Sequence, residues 1–177
     1  MLRSLVVVAG LLLVGCTTTP QPAQTFPFPS SSDTTFAAPD GRVWVLHKVT
    51  RTGDDTYRII FTPEPAKPTG WSEMLQFQFQ KSLPSAEEVR AIAAEVQEKD
   101  DKDFTFEILP GDSGYLMSHH SPRWSERGIS KTVFRSDRAI LISYQTRLKE
   151  DPDGRWEFWK QLVSKLPAEA LRFTFEE

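Results

Sequence analysis

The chain alternates between two hydrophobic periods. Val43, Val45 and Val49 on one side and Trp44 and Leu46 on the other give a β-rich stretch over residues 43–50. Gly53-Asp54-Asp55 is a turn signal, and residues 56–62 read as the returning strand. Pro63, Pro65 and Pro68 interrupt regular structure. From Glu73 to Gln80 the alternation is strict, with Leu75, Phe77 and Phe79 facing one way and Gln76, Gln78 and Gln80 the other. That period of two predicts a half-buried strand. The period changes at Ser85. Val89, Ile92, Ala93 and Val96 recur at helical spacing, and Ser85 with Glu88 forms a capping box, so a helix is predicted over 85–99.

Strand periodicity returns with Phe104, Phe106 and Ile108, then Tyr115 to His119 across the turn Pro110-Gly111-Asp112-Ser113-Gly114. Residues 121–128 read as a polar loop. Strands over 129–135 and 139–147 follow, and Ala139-Ile140-Leu141-Ile142, apolar on both faces, belongs near the middle of a sheet. Asp153 is placed to cap a second helix reaching Leu166, with Trp156, Phe158, Trp159, Leu162, Val163 and Leu166 on its apolar face and Pro167 as its stop. Leu171, Phe173 and Phe175 suggest a short strand or packed tail. The expected fold is α+β: six or seven mainly antiparallel strands covered by two amphipathic helices.

The N-terminal part has neither period. Residues 5–14 carry no charge and follow Arg3. A membrane-spanning helix needs about 20 apolar residues, so this run is a secretory signal rather than a span. Residues 17–40 are rich in Pro, Ser and Thr and predict an extended tether, onto which Phe26, Phe28 and Phe36 are exceptions able to dock back on the domain. The organisation expected is a signal peptide over 1–15, a tether over 16–42 and one domain over 43–177.

Composition narrows the chemistry. With 177 residues, 39% hydrophobic, the chain can build a core, and a net charge of -3 does not suit a nucleic-acid binder. The single cysteine excludes an internal disulfide and a Cys-rich metal site. Its surroundings, Leu13-Val14-Gly15-Cys16, resemble the lipobox of bacterial lipoproteins. The resemblance implies cleavage before Cys16, acylation of its thiol and, with Thr17 rather than Asp following, the outer membrane. Two or three acyl chains hold a protein at a membrane stably where one does not.

The stretch Thr69-Gly70-Trp71-Ser72-Glu73-Met74-Leu75-Gln76-Phe77-Gln78-Phe79 resembles a motif of small exported bacterial proteins, in which Trp-x-Glu precedes a strand alternating apolar residues with Gln. Gly70 departs from that pattern, which has Asn before the Trp. The element order is similar to the PsbP-like α/β/α sandwich. Neither resemblance implies a catalytic residue.

Three features bear on a site. Gly111-Asp112-Ser113-Gly114 matches the nucleophile motif of chymotrypsin-like proteases, but Tyr115 follows it and Lys48 follows His47, so it is read as a hairpin turn. His119 and His120 are adjacent on a strand and point to opposite faces, so they cannot share a metal, and Ser118 cannot pair with His119. Arg123, Arg127 and Lys131 gather positive charge with these histidines around Trp124, and Trp71 and Trp124 could stack on sugar or peptide. Contact with a ligand is therefore placed on Trp71, His119, His120, Arg123, Trp124 and Arg127. The acidic residues Glu98, Asp100, Asp101 and Asp103 read as a solvated helix end. No cofactor, metal or catalytic set is expected. The reading is a membrane-anchored envelope lipoprotein that binds an envelope protein or glycan, with an envelope hydrolase and a carrier of a small apolar ligand as alternatives.

Overall fold

A computed structural model describes Pro29 and residues 33–52, 56–63, 71–111, 113–147 and 154–168. Cys16, Phe26, Phe28, Asp112, Asp153 and the 171–175 segment lie outside the described residues. Eight strands and two helices follow one another as β1 (Thr35–Ala37), β2 (Val43–Thr52), β3 (Thr56–Thr62), β4 (Glu73–Gln80), α1 (Ala86–Lys99), β5 (Thr105–Gly111), β6 (Gly114–Ser121), β7 (Glu126–Phe134), β8 (Ala139–Thr146) and α2 (Arg155–Lys165). They form an α+β fold on one antiparallel sheet ordered β1-β2-β3-β4-β8-β7-β6-β5. The chain makes one meander, crosses through α1 to the far edge, and returns in a second meander that ends against the first. β8 is thus central, as its doubly apolar sequence predicts.

Among the described residues the strand count is eight rather than six or seven because β1 forms inside the stretch read as tether. It pairs Phe36 with Trp44, and the Phe36 ring is buried 5.8 Å from Phe61 and 5.6 Å from Phe77. The loop read over 121–128 is also shorter: Ser121 pairs with Glu126, leaving only Pro122–Ser125 as the turn.

Register fixes the two faces. Leu75, Phe77 and Phe79 of β4 stand opposite Tyr144, Ile142 and Ile140 of β8, which stand opposite Ile129, Lys131 and Val133 of β7. With Ile59, Phe61 and Trp44, these residues other than Lys131 form the core beneath Trp159, Val163 and Leu166 at α2. Phe158, predicted for the buried face of α2, is 39% exposed. The other face carries Gln76, Gln78 and Gln80, yet Gln78 is buried. Side-chain amides running along the strand satisfy one another there, Gln76 Nε2 donating to Gln78 Oε1 at 3.0 Å and Gln78 Nε2 to Gln80 Oε1 at 2.8 Å.

Tyr115, on this glutamine face by register, donates its hydroxyl to Pro84 O at 3.2 Å, just before α1. The predicted capping box is present: Ser85 Oγ accepts from Glu88 N at 3.2 Å and Glu88 Oε2 accepts from Ser85 N at 2.7 Å. α1 packs along β5 and buries Ala93, while Ile92 stays exposed, because the helix meets an edge strand and not the centre of the sheet. Asp101 is not a solvated helix end. It is buried and accepts from Ser121 Oγ at 2.5 Å, tying the exit of α1 to β6.

A charged hub closes the end of the core beside α2. Glu73 Oε1 and Oε2 accept from Arg42 at 3.1 and 2.9 Å, Oε2 from Arg155 at 3.2 Å, and Oε1 from the Tyr144 hydroxyl at 2.9 Å. Asp40 accepts from Arg42 at 2.7 Å and from the indoles of Trp159 at 3.1 Å and Trp44 at 3.4 Å. Burial alone would lower the Arg42 pKa, but hydrogen bonds to Glu73 and Asp40 override it and hold it above its ordinary value. Burial and then the Glu73 charge push the Tyr144 phenol well above its ordinary pKa. Paired charges of this kind are tolerated in an interior because each is hydrogen-bonded. The N-cap of α2 is Gly154, at φ 64°, with no side-chain cap. Arg155 instead fixes that helix end through Glu73.

Candidate functional site

Strand pairing at the β6–β7 end decides what each candidate side chain can reach. His119 stands opposite Gly128, His120 opposite Arg127 and Ser121 opposite Glu126. The His119 ring lies on Gly128, where a Cβ would come within 2.3 Å of its Cε1. It stacks on Phe104 at 5.9 Å and brings Nε2 to 3.5 Å from Glu126 Oε1. Arg147 approaches Glu126 Oε2 at 3.3 Å while its guanidinium covers Trp71 at 4.1 Å. Trp71 and His119 are therefore linked through Arg147 and Glu126 on one face.

The hydrogen bond from His119 holds the Glu126 carboxyl below its ordinary pKa; burial opposes this, and Arg147 adds to it. A carboxylate depressed in the folded state stabilises the fold above its ordinary pKa of about 4.3, and that contribution is lost as pH falls through the folded value. Wild type should consequently lose more stability than Glu126→Gln between neutral and acid pH. Urea midpoints of both proteins at pH 7 and pH 3 check this, and equal acid sensitivity would contradict it.

The opposite face carries His120. One cross-strand row runs Thr105, His120, Arg127, and the next begins Glu107, Ser118. Trp156 and Lys160 of α2 complete an open cleft of about 440 Å³ lined by these residues. The Arg127 guanidinium sits 5.0 Å over the Trp156 ring. Ser118 faces this cleft while the His119 imidazole engages Glu126 on the other side, so the two do not pair. His47 is exposed at a register shift in β2, with β3, β4, β8 and β7 between it and β6.

The Pro122–Ser125 turn holds the remaining pair. Ser125 takes φ 49° and its N–H donates to Pro122 O at 3.1 Å. The Arg123 guanidinium lies 5.6 Å from the Trp124 ring and donates to Asp100 O. Trp124 itself is 45% exposed. No family model matches the chain, and no curated protein matches it.

The six candidate contacts thus fall into three settings at one end of the sheet: Trp71 with His119, His120 with Arg127, and Arg123 with Trp124. Sequence reasoning missed Glu126 and Arg147, whose roles come from cross-strand geometry. It also missed Trp156 and Lys160 as cleft residues, having placed Trp156 on the apolar face of α2. Their spacing of four on a helix was the available signal. Among the described residues no group of three or more His, Cys, Asp or Glu could hold a metal ion, and no described helix is long and apolar enough to cross a membrane. Gly111 of the protease-like tetrapeptide pairs with its Gly114 across the β5–β6 hairpin.

Proposed function

We propose that this is an outer-membrane lipoprotein of the bacterial envelope, anchored through Cys16, whose folded domain is a binding or adaptor module for an envelope protein. Trp124 is the observation that carries the reading. It is a large aromatic held half in solvent on a short turn, with Arg123 against its ring and the Trp71–Arg147 pair at the same end of the sheet. Tryptophan and arginine are the residues most enriched among those that dominate protein–protein affinity, and a turn fixed by its own hydrogen bonds loses little entropy on binding. A helix on each face of the sheet supports a PsbP-like α/β/α layout. The close ring packing of Trp44, Tyr144 and Trp159 favours an adaptor over a carrier of an apolar ligand. The engagement of His119 with Glu126, away from Ser118, disfavours the hydrolase.

Two measurements test this. Intact-mass analysis of the protein purified from membranes should show an acylated Cys16 at the N-terminus; a chain retaining residues 1–15 removes the anchor. A photo-crosslinking residue at position 124 should trap one envelope protein that the same residue at Ile92, exposed on α1, does not. Trp124→Ala should weaken binding of that protein by about 2 kcal/mol or more. Equal trapping at both positions would reject the contact surface.

A further inference from the structure

We infer that α1 guards a latent self-association edge, keeping β5 from pairing with β5 of a second copy of this chain. The inference goes beyond the adaptor reading and does not rest on it. β5 is the end strand of the sheet, with β6 as its neighbour. Gly111 and Gly114 form the last pair of the β5–β6 hairpin, with two positions between them. The residues that close so short a hairpin exchange hydrogen bonds, and bonded and non-bonded pairs alternate from there along an antiparallel ladder. Gly111, Leu109, Glu107 and Thr105 therefore direct their peptide groups toward β6. Pro110, Ile108, Phe106 and, just before the strand, Phe104 direct theirs outward.

Side chains of α1 take up that outward side. Gln97 Nε2 donates to Phe104 O at 2.9 Å, and the Arg90 guanidinium donates to Ile108 O at 3.4 Å. The two donors stand two helical turns apart and so share one face of α1. Pro110 has no N–H for a further strand to use. What this clasp holds off is set by β5 itself. Thr105-Phe106-Glu107-Ile108-Leu109 is β-prone, carries one charge and leaves Leu109 46% exposed. Bare edges of that composition pair with their own kind. An antiparallel pairing centred on Ile108 places each Glu107 opposite a Leu109, so like charges do not meet. The guard is also separable from the fold: of the α1 residues only Ala93 is buried, and none belongs to the core cluster.

The test is sedimentation equilibrium of the full chain in a non-ionic detergent matched in density to the solvent. Removing both donors in Arg90→Ala/Gln97→Ala should tighten dimerisation about tenfold or more over wild type. Both positions are exposed and alanine favours helix, so α1 is retained, which a cooperative melt by circular dichroism checks. Gln97→Ala alone, which removes the shorter bond, should give an intermediate dimer affinity and serves if the double variant melts without cooperativity. Leu109→Lys, at an exposed position, sets a cation on the pairing edge and should return the double variant to wild-type behaviour. Variants that sediment as wild type would overturn the inference. So would a dimer that Leu109→Lys leaves intact, since the copies would then meet somewhere other than β5.

Discussion

Glu73→Ala should lower the stability of the domain by ~3 kcal/mol, the low end of what breaking a buried ion pair costs. Glu73 is 3% exposed and receives hydrogen bonds from Arg42, Arg155 and Tyr144. Removing it leaves two guanidinium groups and a phenol at the core boundary without the acceptor they share. The low end applies because Arg42 and Arg155 keep 23% and 31% of their side-chain surface, so water compensates part of the loss. For a chain of this size the shift in melting temperature would be about 6–12 °C. Glu73→Gln preserves shape and one acceptor oxygen and should cost less than Glu73→Ala. Thermal melts of the three proteins by circular dichroism decide it, and a Glu73→Ala protein melting with wild type would refute the hub.

Trp159→Ala should cost ~3–5 kcal/mol, the range for emptying a large aromatic site in a core. Trp159 is fully buried, stacked 5.3 Å from Tyr144 and edge-on to Trp44 at 6.0 Å, and its indole N–H donates to Asp40. The lost volume and the lost donor separate in Trp159→Phe, which keeps most of the ring and removes the N–H. That variant should lose ~1–2 kcal/mol, the cost of leaving a buried acceptor short of one partner. Urea unfolding of both variants gives the comparison. Equal losses would mean that the hydrogen bond, and not the packing, dominates at this position.

The two variants probe what sequence could and could not disclose. Strands β3 and β4 were legible to the residue because turn and breaker signals bound them, and in β4 the alternation ran unbroken. The capping box at Ser85 was equally plain. β1 was not, since three residues, Thr-Phe-Ala, carry no period and sit among prolines. The core hub was hidden for another reason. Glu73 meets Arg42 across 31 positions and Arg155 across 82, and no local pattern encodes such pairings. Phe158 and Ile92 were misplaced because helical periodicity gives a face but not how far the neighbour extends beneath it. Gln78 was misplaced because an amide reads as exposed when it can in fact be satisfied by its own neighbours along a strand.

The site divides in the same way. The opposite facing of His119 and His120 was legible from the two-residue period alone. That Glu126 would hold one of them, and that α2 would roof the other with Trp156 and Lys160, depended on hairpin register and on where a helix lands after the sheet is complete.

The chain order of the sheet bears on how it is assembled. Each meander, β1 to β4 and β5 to β8, is made of hairpins whose partners are close in sequence. The join between them is not: Tyr144 of β8 reaches Glu73 of β4 across 71 residues. Closing so long a loop is the entropic obstacle that contact order measures. A chain with both halves formed and the join open would present two bare strand edges carrying Phe77, Phe79, Ile140 and Ile142. Unpaired hydrophobic edges are what neighbouring chains add to. The hydrogen bond from Tyr144 to Glu73 is therefore also a fastening across the join that takes two hydrophobic edges out of circulation.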